Sequence, residues 1–308
     1  MAELDRSRAL VAGYRHRPDA STRRLIVTVF GDSVAPRGGA IWLGTLIDLL
    51  AGLDINERLV RTSVQRLVSE GVLANERVGR RSRYALTEAA SLDARDAELR
   101  IYHGSERTWD GRWTMVLAID PGSLPAGLGE RLGWRGFGQL RPGVFASPVV
   151  HPDEARHLLA GLGVADQLAI LSALSDSDDR SLALACFDLD AVQSGYRSFV
   201  ATYAPVGDEL ADADPSPEVA FAVRTLLIDD YRRVLLRDPE LPSALLPDDW
   251  AGATARRVAA ELYRLVDVAA DVHVVSVWRA GDTEVPEADD RVRSRFDHAA
   301  TPGRPFIA

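Results

Sequence analysis

The chain has 308 residues, enough for two or three domains with a sizeable hydrophobic core. All 36 basic residues are arginine, which excludes chemistry that needs a lysine amine, such as a Schiff base, a pyridoxal phosphate linkage or the lysine of a P-loop. The one cysteine, Cys186, excludes an intramolecular disulfide framework, and its apolar neighbours predict a buried strand residue. No apolar run approaches the ~20 residues that span a bilayer, and the N-terminus lacks a signal peptide's apolar core, so we expect a soluble, cytoplasmic protein without a membrane partner.

Charge is unevenly distributed along the chain. Residues 1–90 hold 14 arginines against 10 acidic residues, whereas the rest of the chain holds 22 arginines against 35 acidic residues. The overall net charge is therefore -9, although the N-terminal part is basic. A basic module on an acidic body is typical of a protein that touches nucleic acid with one end only.

The sequence of the first forty residues gives a clear prediction for residues 1–20 and leaves residues 21–31 ambiguous. Residues 1–20 are polar and carry four arginines, which predicts a disordered basic arm. In residues 21–31, Ser21 could cap a helix that ends at Gly31, whereas the run from Ile26 to Phe30 has strand propensity. A glycine-rich loop is expected over 32–39, followed by a helix over Ile41–Leu50.

The stretch from Asn56 to Leu86 predicts a helix followed by a hairpin. Val60, Val64, Leu67 and Val68 recur at helical spacing, with Asn56 as N-cap, Ile55 and Val60 as a hydrophobic staple, and Gly71 as the end of the helix. Two short strand-like runs then flank the turn signal of residues 79–82.

The outer face of this helix and the hairpin carry side chains that can bond phosphates and base edges. Between residues 77 and 83 there are four arginines and no acid. This is the pattern of a winged helix-turn-helix, whose recognition helix enters the major groove while the wing lies over the backbone or minor groove. The alternative is an ordinary amphipathic helix and hairpin with solvated arginines. The candidate DNA-binding residues are Arg61, Thr62, Gln65, Arg66, Arg77, Arg80, Arg81 and Arg83.

The remaining chain predicts an α+β protein with further domains. After the N-terminal domain (21–90) and a connector (91–111), residues 112–187 read as strand, helix, two strands, helix, strand, with an extra strand at 182–187. That order indicates a ferredoxin-like domain. Residues 188–270 predict a helical domain, because helical periodicity and the Ser-Pro-Glu helix start at 216–218 fall within it. Residues 271–308 are polar and contain three prolines, which predicts a mostly irregular tail.

Three stretches together resemble the PaaX family of bacterial transcriptional repressors. They are residues 21–88 (STRRLIVTVFG to RYALTE), 109–148 (WDGRWTMVLAIDPG to GVFASP) and 231–266 (YRRVLLRDPELPSALL to AAELYRLV). The resemblance implies a winged helix with a first helix over 22–30, a central domain similar to Cas2-type domains, and a C-terminal helical domain. It also implies a homodimer that binds palindromic double-stranded operator DNA and is released by an aryl-CoA or other acyl-CoA effector.

Aromatic residues would suit the aryl group of such an effector, and arginines would suit the phosphates of coenzyme A. The structural alternative is that the aromatic residues belong to the core. The effector candidates are Trp113, Trp134, Arg135, Arg141, Tyr231, Arg232 and Arg233.

No cofactor or metal is expected. The six histidines form no pair at the helical spacing of a metal site. Asp120 follows the first ferredoxin-like strand, where Cas2-type nucleases place a metal-binding aspartate, so a metal-dependent nuclease is the alternative function. The interpretation that we favour is that Asp120 caps the helix behind Pro121 in a protein that is not an enzyme.

Overall fold

The structure, a computed structural model, describes residues 4–104, 107–176, 178–281 and 285–297. Two compact units divide the chain. The first is made by the chain up to Gly104, by Tyr196–Leu235 and by the chain from Gly252 onward. The second is made by the chain between Gly104 and Tyr196 and by Leu236–Ala251. In the part of the chain that is described, no helix is long and apolar enough to cross a membrane.

The N-terminal part of the first unit has the element order of a winged helix-turn-helix. Its helices are α1 (Asp5–Gly13), α2 (Thr22–Val29), α3 (Leu43–Ala51), α4 (Glu57–Ser69) and α5 (Glu88–Glu98). Its strands are β1 (Ala40–Trp42), β2 (Leu73–Val78) and β3 (Arg81–Leu86). They form an antiparallel sheet in the order β1-β3-β2. The ambiguous segment is thus a helix, and Ser21 caps it by accepting a hydrogen bond from the Arg24 backbone N–H.

The C-terminal helices complete the first unit. These are the later part of α9 (Leu189–Ala211), α10 (Pro217–Leu235) and α11 (Gly252–Gly281). Every residue of α10 from Ala220 to Tyr231 is buried, so this helix is the centre of the unit. The buried residues include the charged Arg224, Asp229 and Asp230, which need polar partners inside the unit.

The prediction of a disordered arm at residues 1–20 was wrong for the described residues. Helix α1 is fixed because Glu209 of α9 accepts hydrogen bonds from the Arg6 backbone N–H (2.7 Å) and from the backbone N–H and hydroxyl of Ser7. Leu10 and Tyr14 are buried behind it. The partners are about 200 residues away in sequence, so local composition could not reveal them. Residues 1–3 of the predicted arm lie outside the described residues.

The prediction of an irregular tail from residue 271 was also wrong in part. Helix α11 continues to Gly281, and Val274 and Trp278 in this continuation are buried. Farther on, Arg295 and Phe296 are buried as well. The polar residues that made this segment look irregular include ion-pairing residues of the unit's interior. The parts of the predicted tail at 282–284 and 298–308 lie outside the described residues.

Asp32 is the centre of a buried ionic network in the first unit. It lies in a π-helical turn, Phe30–Val34, that continues α2, and not in the loop expected there. Its carboxylate accepts hydrogen bonds from the hydroxyls of Tyr102 (2.7 Å) and Tyr263 (3.1 Å). The guanidinium groups of Arg224 and Arg295 lie 3.1 and 3.2 Å from it. Five segments of the chain therefore meet at one carboxylate. They are the turn that continues α2, the segment after α5, helix α10, helix α11 and the residues that follow α11.

The electrostatics of this network favour the charged form of Asp32. Burial by itself would raise the pKa of the carboxyl, but Arg224, Arg295 and the two tyrosine hydroxyls lower the pKa below its ordinary value. Burial and the neighbouring carboxylate raise the pKa of Tyr102 well above its ordinary value, so this hydroxyl stays protonated and continues to donate. Each buried ion thus depends on its partners for compensation of the lost hydration.

The second unit contains the ferredoxin-like domain. Its strands are β4 (Trp113–Ala118), β5 (Gly138–Arg141), β6 (Val144–Ser147) and β7 (Leu168–Ala173), and its helices are α6 (Leu128–Gly133), α7 (Pro152–Gly161) and α8 (Asp179–Cys186). The sheet is antiparallel with the order β5-β6-β4-β7. This topology confirms the predicted α+β class with a ferredoxin-like centre.

The extra strand predicted at residues 182–187 was wrong, because this segment is helix α8. Asp178 caps it by accepting hydrogen bonds from the backbone N–H groups of Arg180 and Ser181. The helix packs closely on β5, where a side chain at Gly138 would come within 2.6 Å of the Cys186 carbonyl oxygen. Cys186 is buried as expected, and burial raises the pKa of its thiol to about 11.

Replacing Asp32 by asparagine removes the negative charge that Arg224 and Arg295 share. Because this leaves buried guanidinium groups undercompensated, we expect the free energy of unfolding at neutral pH, measured by urea denaturation, to fall by about 3–5 kcal/mol. The contribution of Asp32 is complete above its ordinary pKa of about 4 and is lost as the pH falls toward its lower folded pKa. The wild type should therefore lose stability in acid more steeply than the variant.

Arg293→Ala is the matched control, because Arg293 faces Asp290 at 3.7 Å with both side chains exposed. We expect no change in its urea midpoint. An Asp32→Asn variant with wild-type stability at pH 7 would contradict the assigned network.

Candidate nucleic-acid interface

Helix α4 has one buried face and one exposed face. The Asn56 side chain accepts a hydrogen bond from the Leu59 backbone N–H at 2.9 Å and so caps the helix, as predicted. Val60, Val64 and Leu67 are buried, and Gly71 ends the helix with a φ of 73°. The buried stripe fixes the rotation of α4 and therefore decides which side chains it presents to solvent.

The four helix residues predicted to read DNA, Arg61, Thr62, Gln65 and Arg66, are all exposed on α4. They are not equally free. Arg61 forms an ion pair with Glu57 at 2.6 Å, and the Thr62 hydroxyl donates to the Arg58 carbonyl oxygen at 2.9 Å. Arg58 is also exposed on this helix and was not among the predicted residues. The signal for it was available, because it lies three residues before Arg61 and so shares its side of the helix.

The wing is the hairpin of β2 and β3, with Gly79 and Arg80 at its tip. Its arginines lie on different faces. Arg83 stands opposite Trp42 of β1, and Arg81 two residues earlier shares that face. Arg77 stands opposite Ser82 and therefore lies on the other face of the sheet. Tyr84, which is on that same face, is buried.

Trp42 was missed as a candidate. It was included in the predicted helix over 41–50, whereas it closes strand β1 and α3 begins after it. Its indole ring lies under the guanidinium group of Arg81, 4.2 Å from ring centroid to Cζ. The sequence offers little to find it, because β1 has only three residues, in which Ile41 is buried and Trp42 is half-buried.

Helix α2 of the winged helix is bound to α10 by a second set of polar contacts. Asp229 accepts hydrogen bonds from Arg24 Nε (2.8 Å) and from the Thr28 hydroxyl (3.0 Å). The neighbouring Asp230 forms an ion pair with Arg17 at 2.6 Å and accepts a hydrogen bond from the Tyr203 hydroxyl at 2.7 Å. Burial raises the pKa of Asp229 even with Arg24 beside it. Helix α4 thus belongs to a domain that is bound to the C-terminal helices.

The residues predicted to bind an effector are divided between the two units. Trp113 is 1% exposed and donates its indole N–H to Asp179 at 2.8 Å, and Tyr231 is also 1% exposed. Both are core residues, as in the structural alternative, so the structure gives no support for a role of these two in effector binding.

The other effector candidates are more accessible. Trp134 is 69% exposed, and Arg135 and Arg141 are exposed in the same unit. Arg232 donates to the Thr28 hydroxyl at 3.1 Å, and Arg233 forms ion pairs with Asp19 and Asp230. The two arginines of α10 therefore have structural partners within the first unit.

Asp120 has a capping role as we favoured, but it caps a short turn, whereas the helix that was expected behind Pro121 begins only at Leu128. Its carboxylate accepts a hydrogen bond from the Gly122 backbone N–H at 3.0 Å, at the start of the short turn Pro121–Ser123. Among the described residues, no group of three or more histidine, cysteine, aspartate or glutamate side chains could hold a metal ion.

Comparison with known proteins identifies the relatives of this chain. Three family models match it: the PaaX-like protein at residues 21–90, the PaaX protein central Cas2-like domain at 106–185, and the PaaX-like protein C-terminal domain at 187–276. The chain belongs to the PaaX-like family. The transcriptional repressor PaaX of Escherichia coli (strain K12) is 40% identical over 272 residues, which is 85% of each chain.

A solved structure is also similar to this member of the PaaX-like family. It is an uncharacterized protein from Mycobacterium tuberculosis with 26% identity and a TM-score of 0.47. The match covers 73% of this chain and 89% of the other.

Proposed function

We propose that this protein is a DNA-binding transcriptional repressor of a catabolic operon that acts in the cytoplasm. The observation that carries the proposal is the outer face of α4, where arginine, threonine and glutamine side chains stand exposed on a helix whose other face is buried. The similarity to a transcriptional repressor over 85% of the chain supports the same conclusion. A metal-dependent nuclease is not proposed, because Asp120 caps a turn.

In this proposal the helix and the wing have different tasks. Arg61, Thr62, Gln65 and Arg66 read base edges in the major groove, where bidentate arginine contacts to guanine give sequence preference. Arg77, Arg80, Arg81 and Arg83 contact phosphates or the minor groove and give affinity that depends on salt. A homodimer would place two such surfaces on half-sites about 34–36 Å apart or at a multiple of that distance.

The division of tasks can be measured with a DNA duplex that the protein itself selects from a random-sequence pool. We expect Arg66→Ala to cost about 1–3 kcal/mol of binding free energy on this duplex and to relax sequence preference. Arg80→Ala should weaken binding to all sequences alike and lower the slope of log affinity against log salt by about one unit.

Glu57→Gln is a control for which we expect the opposite change in DNA affinity. It removes an acid from the α4 surface and releases Arg61 from its ion pair, so affinity should rise. If Arg66→Ala and Arg80→Ala both bind DNA like the wild type at low salt, the assigned surface is wrong.

We further propose that an acyl-CoA thioester, of the aryl-CoA type, releases the protein from DNA. Support comes from the family resemblance and from accessible groups that suit this chemistry, namely the exposed Trp134 with Arg135 and Arg141 in the same domain. Trp113 and Tyr231 are buried and are not part of the proposed effector site.

Titrating the protein–DNA complex with phenylacetyl-CoA and with other acyl-CoA thioesters tests the effector class. We expect release by at least one thioester, whereas free coenzyme A, which lacks the acyl group, should be the weaker ligand. Trp134→Ala should shift the release curve to higher thioester concentration. If no thioester weakens the complex at millimolar concentration, the effector proposal fails while DNA binding is unaffected.

A further inference from the structure

The outer face of the wing combines a tryptophan with two arginines. Strand β1 pairs with β3 so that Trp42 stands opposite Arg83, and Arg81 lies diagonally beyond the end of β1. The Arg81 guanidinium group is directly over the Trp42 ring, with Cζ 4.2 Å from the centroid. This distance is well within the roughly 6 Å at which a cation is attracted by an aromatic face.

Arg80 provides a contrast within the same hairpin. It is exposed at the tip, between the ends of β2 and β3. Arg77 lies on the opposite face from Trp42. Of the four wing arginines, Arg81 is the one that stacks on an aromatic ring among the described residues.

Stacking restricts Arg81 without using its hydrogen-bond donors in the stack. The five N–H groups of a guanidinium lie in its plane, so the stacking of its face on an indole does not itself engage them. A long arginine side chain loses much rotamer freedom when it binds a phosphate. An arginine that is already held on a ring has lost part of that freedom before DNA arrives, which favours binding.

The platform under Arg81 is itself rigid. Trp42 is bracketed by Ile41, which is 1% exposed in the core, and by the first residue of α3. The backbone of β1 is paired with β3 over three residues, from Ala40 to Trp42. The backbone that carries the indole ring is therefore held by the sheet on one side and by helix α3 on the other.

We infer that Trp42 is a positioning residue for DNA binding, which holds the Arg81 guanidinium at the outer face of the wing in the orientation that contacts the phosphate backbone. The inference rests on the proposed function and adds a residue that need not touch DNA itself. It also separates the wing arginines into one that is held in place before binding, Arg81, and one at the tip, Arg80, that is not held by this ring.

The test is a double-mutant cycle on the full chain, with a random-sequence duplex of about 30 base pairs, roughly three helical turns, as probe at low salt. Arg81→Ala should weaken binding and lower the salt slope by about one unit. Trp42→Ala should weaken binding about two- to fivefold, because Arg81 must then lose on binding the rotamer freedom that the ring had already restricted. In the Arg81→Ala background, Trp42→Ala should have no further effect.

Three further variants distinguish positioning from a general structural role. Trp42→Phe keeps an aromatic face and should restore most of the affinity. Arg81→Lys keeps the charge but loses the planar stack, so it should bind like Trp42→Ala. In the Arg80→Ala background, Trp42→Ala should still produce its full loss. Because Trp42→Phe and Arg81→Lys are conservative, they keep the test decisive even if Trp42→Ala lowers the unfolding midpoint.

The outcomes separate this inference from the proposed function. If the Trp42→Ala and Arg81→Ala losses multiply in the double variant, or if Arg81→Lys binds like the wild type, the positioning role is overturned. If Arg66→Ala, Arg80→Ala and Arg81→Ala all bind the duplex like the wild type, DNA binding by this surface is wrong and the proposed function fails with it.

Discussion

The buried carboxylate of Asp32 is the constraint on which the first unit depends. An isolated charge in such a place would be strongly unfavourable, so its two guanidinium and two hydroxyl partners must all be in position together. Those partners are Arg224, Arg295, Tyr102 and Tyr263, which come from four separate segments of the chain. The winged helix is therefore completed by residues that lie as far as 263 positions away in sequence. Such a network adds little net stability over an apolar core, but it demands one arrangement of the segments, because each alternative leaves a buried charge without compensation.

Buried polar contacts also link the winged helix to the C-terminal helices. Asp229 and Asp230 of α10 hold α2 and the segment before it through Arg24, Thr28 and Arg17. A displacement of α10 must either carry α2 along or break these buried contacts. Since α2 packs on α4 within the same small domain, the position of the outer face of α4 is coupled to α10. The exposed arginines of α4 alone would not have revealed this coupling within the first unit.

Local features of the fold and site followed from the sequence, and long-range features did not. The cap at Asn56, the buried stripe of α4, the hairpin and the ferredoxin-like strand order are encoded within short windows, and the structure has them as expected. The segment at 182–187 was misassigned because a short apolar run does not distinguish a buried strand from a helix. The N-terminal helix α1 and the end of α11 were missed because tertiary partners such as Glu209 fix them. Asp32 and Trp42 were missed for the same reason. The pairing register of two strands and a network of ion pairs both depend on several segments, so one segment alone does not show them.

Hydrogen exchange of the full chain, followed by mass spectrometry, tests most directly whether Asp32 holds these segments as one cooperative unit. In an Asp32→Asn variant, backbone amides of α2, α10 and α11 should gain exchange together relative to the wild type. The strands β4–β7 of the second unit should exchange as in the wild type. Faster exchange confined to the peptide that contains residue 32, with α10 and α11 unchanged, would contradict the account.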